Sequence, residues 1–171
     1  EAEGLRTPLQ VMKASGGTCL PARVGEEAVA LINSGPVGGL VAAQQLGALL
    51  GRHNLITTDM GGTSFDVGII YRGEYEVERV AFIDQGVPIQ VPAARIVAIG
   101  AGGGSIAWTD GRRLLLGPHS AGARPGPACY GLGGTEPTVT DALVVLGILD
   151  PAYFLGGRRR LDRARAEEAL A

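Results

Sequence analysis

The pattern of apolar and polar positions along the chain predicts mostly short β-strands separated by glycine-containing turns. Residues 55–58 and 65–71 carry β-type side chains on either side of Gly61 and Gly62, which predicts a hairpin. A second hairpin is expected around the Asp-Gly pair at 110–111. The predicted strands are 9–12, 55–58, 65–71, 75–82, 94–99, 106–108 and 114–116, and those between 55 and 82 are expected to be three successive antiparallel strands. The run at 94–99 has the apolar character of a buried strand.

Three helices are predicted from capping residues and helical spacing. The first covers about 36–50, with Ser34 as its cap and Pro36 in its first turn, and its many Gly and Ala residues indicate close packing. A second is capped at 138–140 and continues to Leu149, and a third starts at about Asp162. The stretch 117–138 is expected to be irregular, and loops of that length are often functional. These elements predict an α/β fold, a mixed sheet with consecutive β-hairpins flanked by helices.

Composition and charge narrow the class of protein. The chain has 171 residues with 28 Gly, 46% hydrophobic residues and a formal net charge of −2, which favours one globular domain and gives no basic surface for nucleic acid. No apolar run is long enough for a membrane span, so no membrane partner is expected. Two Cys and two His form no zinc motif and favour a cytoplasmic setting. The missing initiator Met and an end within a helical pattern suggest a piece of a longer protein.

Glycine-rich loops suggest phosphate binding, because glycine lets backbone N–H groups approach an anion closely. The phosphate loop motif GxxxxGK[ST] is excluded, since the single lysine, Lys13, has no such spacing. A dinucleotide-binding match at Gly102, Gly104 and Ala107 leads into a hairpin turn where a helix would be required.

The loop between the strands at 55–58 and 65–71 is the third candidate. Its turn, Gly61, Gly62, Thr63 and Ser64, could contact a polyphosphate through amides and hydroxyls. Asp59 and Asp66, at the two ends, could hold the waters of a Mg²⁺ ion and act in catalysis. The alternative is an ordinary hairpin with a surface carboxylate at each end, because paired glycines are common in such turns.

Five motifs occur in a fixed order along the chain. They are SGPVGG from Ser34, DMGGTSFDV from Asp59, IGAGGGS from Ile99, GPHSAGARPGPACYG from Gly117 and GGTEPTVTDA from Gly133. The second motif resembles the second phosphate loop of actin-like ATPases such as the sugar kinases. Together the five resemble the hydantoinase A / 5-oxoprolinase family over nearly the whole chain.

The resemblance implies a fragment of an actin-like (ribonuclease H-like) ATPase lobe that uses ATP and Mg²⁺. It implies ATP-dependent opening of a small cyclic amide, of the hydantoin or 5-oxoproline type, because phosphorylating the amide oxygen activates its carbon. The alternatives are a subunit of an acetone or acetophenone carboxylase and a non-catalytic actin-like ATP-binding switch. The rest of the parent chain and a B-type second subunit are the implied partners.

The resemblance also assigns roles to individual residues. Asp59, Gly61, Gly62, Thr63 and Asp66 match the family's phosphate loop, and the SGPVGG helix matches the segment that connects the two lobes. The family's first phosphate loop, DxGGTxxD, and its adenosine segment, GGxGP, have no match in the sequence. The chain is therefore expected to contain part of a nucleotide site and to be inactive by itself.

Other residues are candidates for substrate contacts. Gly102, Gly103, Gly104 and the segment 117–134 are expected to line a cleft that faces the hairpin, because such glycines offer free backbone amides to a ligand. His119 could act as an acid or base, or could brace its loop through a hydrogen bond. Cys129 could be a nucleophile or substrate contact, or a small buried hydrophobe. Asp141 is expected to cap a helix, with ligand binding as the alternative.

Overall fold

The computed structural model describes residue 4, residues 7–83 and residues 86–171. The chain is an α/β protein whose strands form several small sheets. The strands are β1 Val11–Met12, β2 Thr18–Cys19, β3 Leu55–Met60, β4 Phe65–Tyr71, β5 Glu74–Tyr75, β6 Val77–Glu78, β7 Ala81–Ile83, β8 Val87–Ile89, β9 Ala93–Ala94, β10 Ile96–Ile99, β11 Ser105–Thr109 and β12 Leu114–Ser120. The α-helices are α1 Ser34–Leu49, α2 Val139–Val145 and α3 Arg163–Leu170. Contacts divide the chain into two compact units, Glu1–Asp59 with Asp66–Val97 and Met60–Phe65 with Ala98–Ala171.

Helix α1 packs onto the central sheet of the first unit, in which the strand order is β10, β4, β3, with β5 antiparallel to β4. Val37 and Leu40 of the helix form a buried cluster with Ile70 and Ala94. A glycine at position 68 makes this packing possible, because a Cβ there would lie 2.7 Å from Thr57 Oγ1 and 2.8 Å from Leu40 Cδ1. The helix begins two residues earlier than predicted, and the expected cap, Ser34, is its first residue.

The prediction of one strand at 75–82 is wrong, because this stretch is divided into β5, β6 and β7. Strand β6 pairs with β9 and strand β7 pairs with β8, so the partners lie farther along the chain. The predicted strand at 94–99 is also interrupted, because the N–H of Arg95 donates to the carbonyl of Glu76 at 2.9 Å. The prediction that this run is buried is wrong as well, since Val97 and Ile99 are exposed.

The second unit contains the predicted hairpin of β11 and β12. Its turn is stabilised by Asp110, whose Oδ1 accepts hydrogen bonds from the N–H groups of Arg112 and Arg113. Strand β12 continues to Ser120, so the irregular segment begins later than predicted. Helix α2 ends at Val145 and not at 149, and Gly147 follows in a left-handed conformation with φ 72°.

A small apolar core holds the helices of the second unit together. Val144 from α2 and Ala166 from α3 pack with Cys129 and Leu161, and all four are buried. Helix α3 begins after Asp162, whose carboxylate accepts a hydrogen bond from the N–H of Arg165. This cap agrees with the predicted helix start.

Candidate functional site

The turn that joins β3 to β4 is tight and exposed. The N–H of Gly61 donates to the carbonyl of Ser64 at 2.9 Å, which closes the turn. Gly61, Gly62 and Thr63 are exposed, whereas Ser64 is half-buried. A Cβ added to Gly62 would meet no atom within 4 Å, so open space surrounds that position. The turn therefore presents accessible backbone and a threonine hydroxyl.

The glycine loop at 100–104 pairs with this turn through its backbone. The N–H of Gly103 donates to the carbonyl of Gly61 at 2.8 Å, and the N–H of Gly104 donates to that of Gly62 at 2.7 Å. A Cβ on Gly102 would collide with the backbone nitrogens of Thr63 and Ser64. The expected proximity of the two loops is thus observed. The expectation of free amides is wrong for Gly103 and Gly104, whose N–H groups already bind carbonyl oxygens of the turn.

The start of helix α2 and the end of β12 hold the same glycine loop from other directions. The backbone N–H and the hydroxyl of Thr140 both donate to the carbonyl oxygen of Gly103, at 2.9 and 2.8 Å. The N–H of Ala121 donates to the carbonyl of Gly104 at 2.8 Å. The loop is therefore fixed by backbone partners from three separate segments of the second unit.

These segments surround a cavity of about 600 Å³ in the second unit. One part of its wall is backbone and hydroxyl groups, and another part is apolar and aromatic. The lining residues are Met60, Gly61, Gly62, Thr63, Gly103, Gly104, Ser120, Gly122, Ala123, Pro127, Tyr130, Thr140, Leu143, Leu149 and Phe154. Such a mixed wall is typical of small-molecule sites.

Three of the predicted substrate residues, Gly102, His119 and Cys129, do not line this cavity. His119 is exposed on β12 and is not among the lining residues. Cys129 is 1% exposed and belongs to the apolar core of the second unit. Burial raises the pKa of the Cys129 thiol to about 12, and its hydrogen bond with Asp141 acts in the same direction. At neutral pH the thiol is protonated and covered, which agrees with the buried-hydrophobe alternative.

Asp141 is a completely buried carboxylate that joins two segments. Its predicted capping role is observed as a capping box with Thr138, which donates to it through both N–H and hydroxyl, at 3.0 and 2.7 Å. It also accepts hydrogen bonds from the N–H groups of Ala128 and Cys129, at 3.2 and 2.8 Å. The carboxylate thus fixes the turn that carries Pro127 and Tyr130 into the cavity wall.

Tyr130 is held in that wall by two neighbours. The Arg159 guanidinium lies 4.6 Å from the centre of the tyrosine ring, and its Nη2 donates to the carbonyl of Tyr130 at 2.6 Å. The ring of Phe154 is tilted against it at 5.6 Å. Tyr130 lies in the segment 117–134, part of which lines the cavity as expected. The sequence analysis did not identify Thr140 or Phe154 as cavity residues. Thr140 lies within the motif that begins at Gly133, so that motif was the available signal.

The predicted carboxylates line a different cavity, of about 450 Å³, within the first unit. Asp59 is exposed at the end of β3, Asp66 is half-buried on β4, and both contribute to its wall beside Thr57 and Thr58. Two carboxylates in one cavity fit Mg²⁺, which is usually held by one or two carboxylates together with substrate phosphates. Among the described residues no group of three or more His, Cys, Asp and Glu could form a metal site of protein ligands alone.

The described helices include none that is long and apolar enough to cross a membrane. A glycine turn beside a cavity with a mixed polar and apolar wall is typical of small-molecule sites in enzymes. The hydantoinase/oxoprolinase family model matches residues 1–171. The chain therefore belongs to the hydantoinase/oxoprolinase family.

Known relatives include both hydrolases and carboxylases. The chain is 48% identical over 143 residues to the acetophenone carboxylase gamma subunit of Aromatoleum aromaticum, covering 81% of this chain and 19% of that protein. It is similar to the crystal structure of the ATP-dependent caprolactamase from Pseudomonas jessenii, with a TM-score of 0.73 and 42% identity over 98% of this chain and 24% of that one. The nucleotide-free structure of acetone carboxylase gives a TM-score of 0.82 and 37% identity over 99% of this chain and 24% of that one. The chain thus spans about a quarter of the length of these proteins or less.

Proposed function

We propose that this chain forms one side of the ATP site in an enzyme that opens cyclic amides. The observation that carries the proposal is the exposed turn at Gly61–Thr63, clamped against Gly103 and Gly104 at the edge of a cavity. Exposed backbone in a turn that is held by hydrogen bonds suits a polyphosphate, because the turn is already in position when the anion binds. The similarity to an ATP-dependent caprolactamase, named for a lactam, supports a cyclic amide as substrate.

The predicted phosphate-loop residues and two of the loop glycines have roles in this proposal. Gly61, Gly62, Thr63 and Ser64 contact the phosphates through the turn, and Asp59 and Asp66 hold the waters of Mg²⁺. ATP would supply the phosphoryl group, which would be transferred to the amide oxygen with ADP as the leaving group and would so activate the amide carbon. The 600 Å³ cavity, with its hydroxyl and apolar walls, is the candidate for the substrate. Gly103 and Gly104 hold the turn in place by backbone pairing.

The proposal extends to the architecture of the parent protein. We place the chain in an actin-like ATPase lobe, with α1 as the helix that connects the lobes. A second subunit is the expected partner, because the caprolactamase and acetophenone carboxylase relatives are named as alpha and gamma subunits. The first phosphate loop and the adenosine contacts would then come from other parts of the parent chain.

A ketone carboxylase subunit is the second candidate function. It is favoured by the 48% identity to an acetophenone carboxylase subunit and by the TM-score of 0.82 to acetone carboxylase. The same activation applies, because a ketone oxygen can also accept the phosphoryl group. A non-catalytic actin-like switch, in which nucleotide binding alone changes the protein, is the third.

The experiment that separates these functions measures ADP release by the complete protein that carries this chain, together with any partner subunit. Stimulation by a hydantoin, 5-oxoproline or a lactam supports the amidohydrolase. Stimulation by a ketone together with bicarbonate supports the carboxylase and contradicts the first proposal. ATP binding with no stimulation by either class supports the switch. Variants Asp59→Asn and Asp66→Asn serve as controls, because both should abolish the stimulated rate.

A further inference from the structure

The start of helix α2 carries a buried hydroxyl that bonds to the glycine loop. Thr140 is 6% exposed, and its hydroxyl and N–H both donate to the carbonyl oxygen of Gly103. Gly103 in turn donates its own N–H to the carbonyl oxygen of Gly61 at 2.8 Å. The hydrogen bonds therefore run continuously from the first turn of α2 to the exposed turn after β3.

The contact between Thr140 and the loop depends on glycine at position 103. A Cβ there would lie 2.8 Å from the Thr140 hydroxyl oxygen, which is closer than real side chains approach. The hydroxyl occupies the space that a side chain would fill, and it holds the loop carbonyl in a fixed direction. Because the same oxygen also accepts the Thr140 N–H, the loop is held by two donors from one residue.

The helix start that carries Thr140 is itself firmly anchored. The next residue, Asp141, is completely buried and accepts four hydrogen bonds from Thr138, Ala128 and Cys129. A buried carboxylate with all its donors in place fixes its surroundings strongly, because releasing any of those donors leaves a buried polar group unpaired. Thr140 is thus a rigid support and not a mobile side chain.

We propose that Thr140 is a positioning residue for nucleotide binding, acting through Gly103 on the turn at Gly61–Thr63. Thr140 lines the cavity next to Gly103. It positions the backbone of the turn that would bind the phosphates, and it does not contact the phosphates itself. That the ligand is a nucleotide rests on the proposed function, whereas the support of the glycine loop by Thr140 rests on the hydrogen bonds alone. Removing the hydroxyl loosens the glycine loop, and nucleotide affinity falls more than overall stability.

The test compares Thr140→Val, which removes the hydroxyl and keeps the shape, with Thr140→Ser, which keeps the hydroxyl. Thr109→Val is the matched control, because its hydroxyl accepts a hydrogen bond from Gly111 in the exposed hairpin turn of the same unit. Hydrogen exchange at the N–H groups of Gly103 and Gly104 is measured without nucleotide in the complete protein. Calorimetry then measures the affinity for Mg²⁺ with a non-hydrolysable ATP analogue.

We expect Thr140→Val to speed exchange at Gly103 and to weaken analogue binding by about fivefold to tenfold, the usual effect of losing one hydrogen bond. Thr140→Ser and Thr109→Val should stay within about twofold of the wild type, which is less than one typical hydrogen bond contributes. If Thr140→Val speeds exchange at Gly103 but leaves the affinity for the analogue unchanged, the positioning role is overturned. If Thr140→Val leaves exchange at Gly103 unchanged, the support of the glycine loop by the Thr140 hydroxyl is overturned. Equal losses in the Val and Ser variants also overturn it, because the hydroxyl would then be irrelevant. A wild-type protein that binds no analogue contradicts the proposed function and the positioning role together. The exchange data still test whether the Thr140 hydroxyl supports the glycine loop.

Discussion

Replacing Asp141 by Asn should loosen the wall of the 600 Å³ cavity in the second unit. Oδ1 accepts one backbone hydrogen bond, from the N–H of Cys129, whereas Oδ2 accepts three hydrogen bonds, from the N–H of Ala128 and from the N–H and hydroxyl of Thr138. The asparagine oxygen will therefore take the Oδ2 position, and its NH₂ group will face the N–H of Cys129. Two buried donors are then unpaired at about 1–3 kcal/mol each, so the expected loss of local stability is roughly 2–6 kcal/mol.

The assay is native-state hydrogen exchange in the complete protein, read at the N–H groups of Cys129 and Thr138. The loss should appear as faster exchange at both positions, and the variant Asp110→Asn is a control because that carboxylate lies in an exposed hairpin turn. Thermal unfolding of the whole protein is a poorer measure, because a multidomain protein does not unfold in a single transition. Exchange in Asp141→Asn that matches the wild type would refute the reasoning, since the carboxylate would then not hold the two segments.

Three further predictions concern the loops and the buried thiol. Asp59→Asn and Asp66→Asn should each lower ADP formation by roughly 100-fold, the usual loss when a charge-stabilising group is removed, with little change in melting temperature; full activity in both variants would contradict the Mg²⁺ role. Cys129 should resist a thiol reagent at pH 8 until the protein is unfolded, and modification of the folded protein at pH 8 would contradict its burial. Because its pKa is raised from 9.0 to about 12, its contribution to stability should be complete below pH 9 and should be lost as the pH rises toward 12. Gly102→Ala should lower local stability by about 1–3 kcal/mol through its collision with the turn, whereas Gly100→Ala meets open space and should be nearly neutral. Hydrogen exchange at the N–H groups of Gly103 and Gly104 measures both effects, and equal effects would argue against the close pairing of the loops.

The sequence predicted those elements whose cause is local. The hairpin at Gly61 and Gly62 and the hairpin at 110–111 follow from turn chemistry, and the helix starts after Thr138 and Asp162 follow from side-chain caps. Pairing between distant segments was not predictable in this way. The predicted strand at 75–82 is broken because its parts pair with strands formed by residues 87–94.

The same limit applied to the candidate site. The turn at 61–64 could be proposed as a phosphate loop from its residue types. The support of the neighbouring glycine loop by Thr140 could not, because Thr140 and Gly103 are separated by 37 residues in the sequence. The capping role of Asp141 accounts for its hydrogen bonds with Thr138. Its hydrogen bonds from the N–H groups of Ala128 and Cys129 were not predictable, because those residues lie in an irregular segment with no spacing pattern that relates them to the helix. Burial of Cys129 likewise follows from packing against α2 and α3, which a single residue type does not reveal.

The packing of α1 on the sheet of the first unit limits how this family can vary in sequence. Gly68 leaves no room for a side chain because Leu40 and Thr57 fill the space above it. A larger residue at position 68 would require smaller residues at both position 40 and position 57, so the allowed residues at these positions are linked. Coupled substitutions between a helix and a strand would reflect this shared volume and need not indicate a shared role in catalysis.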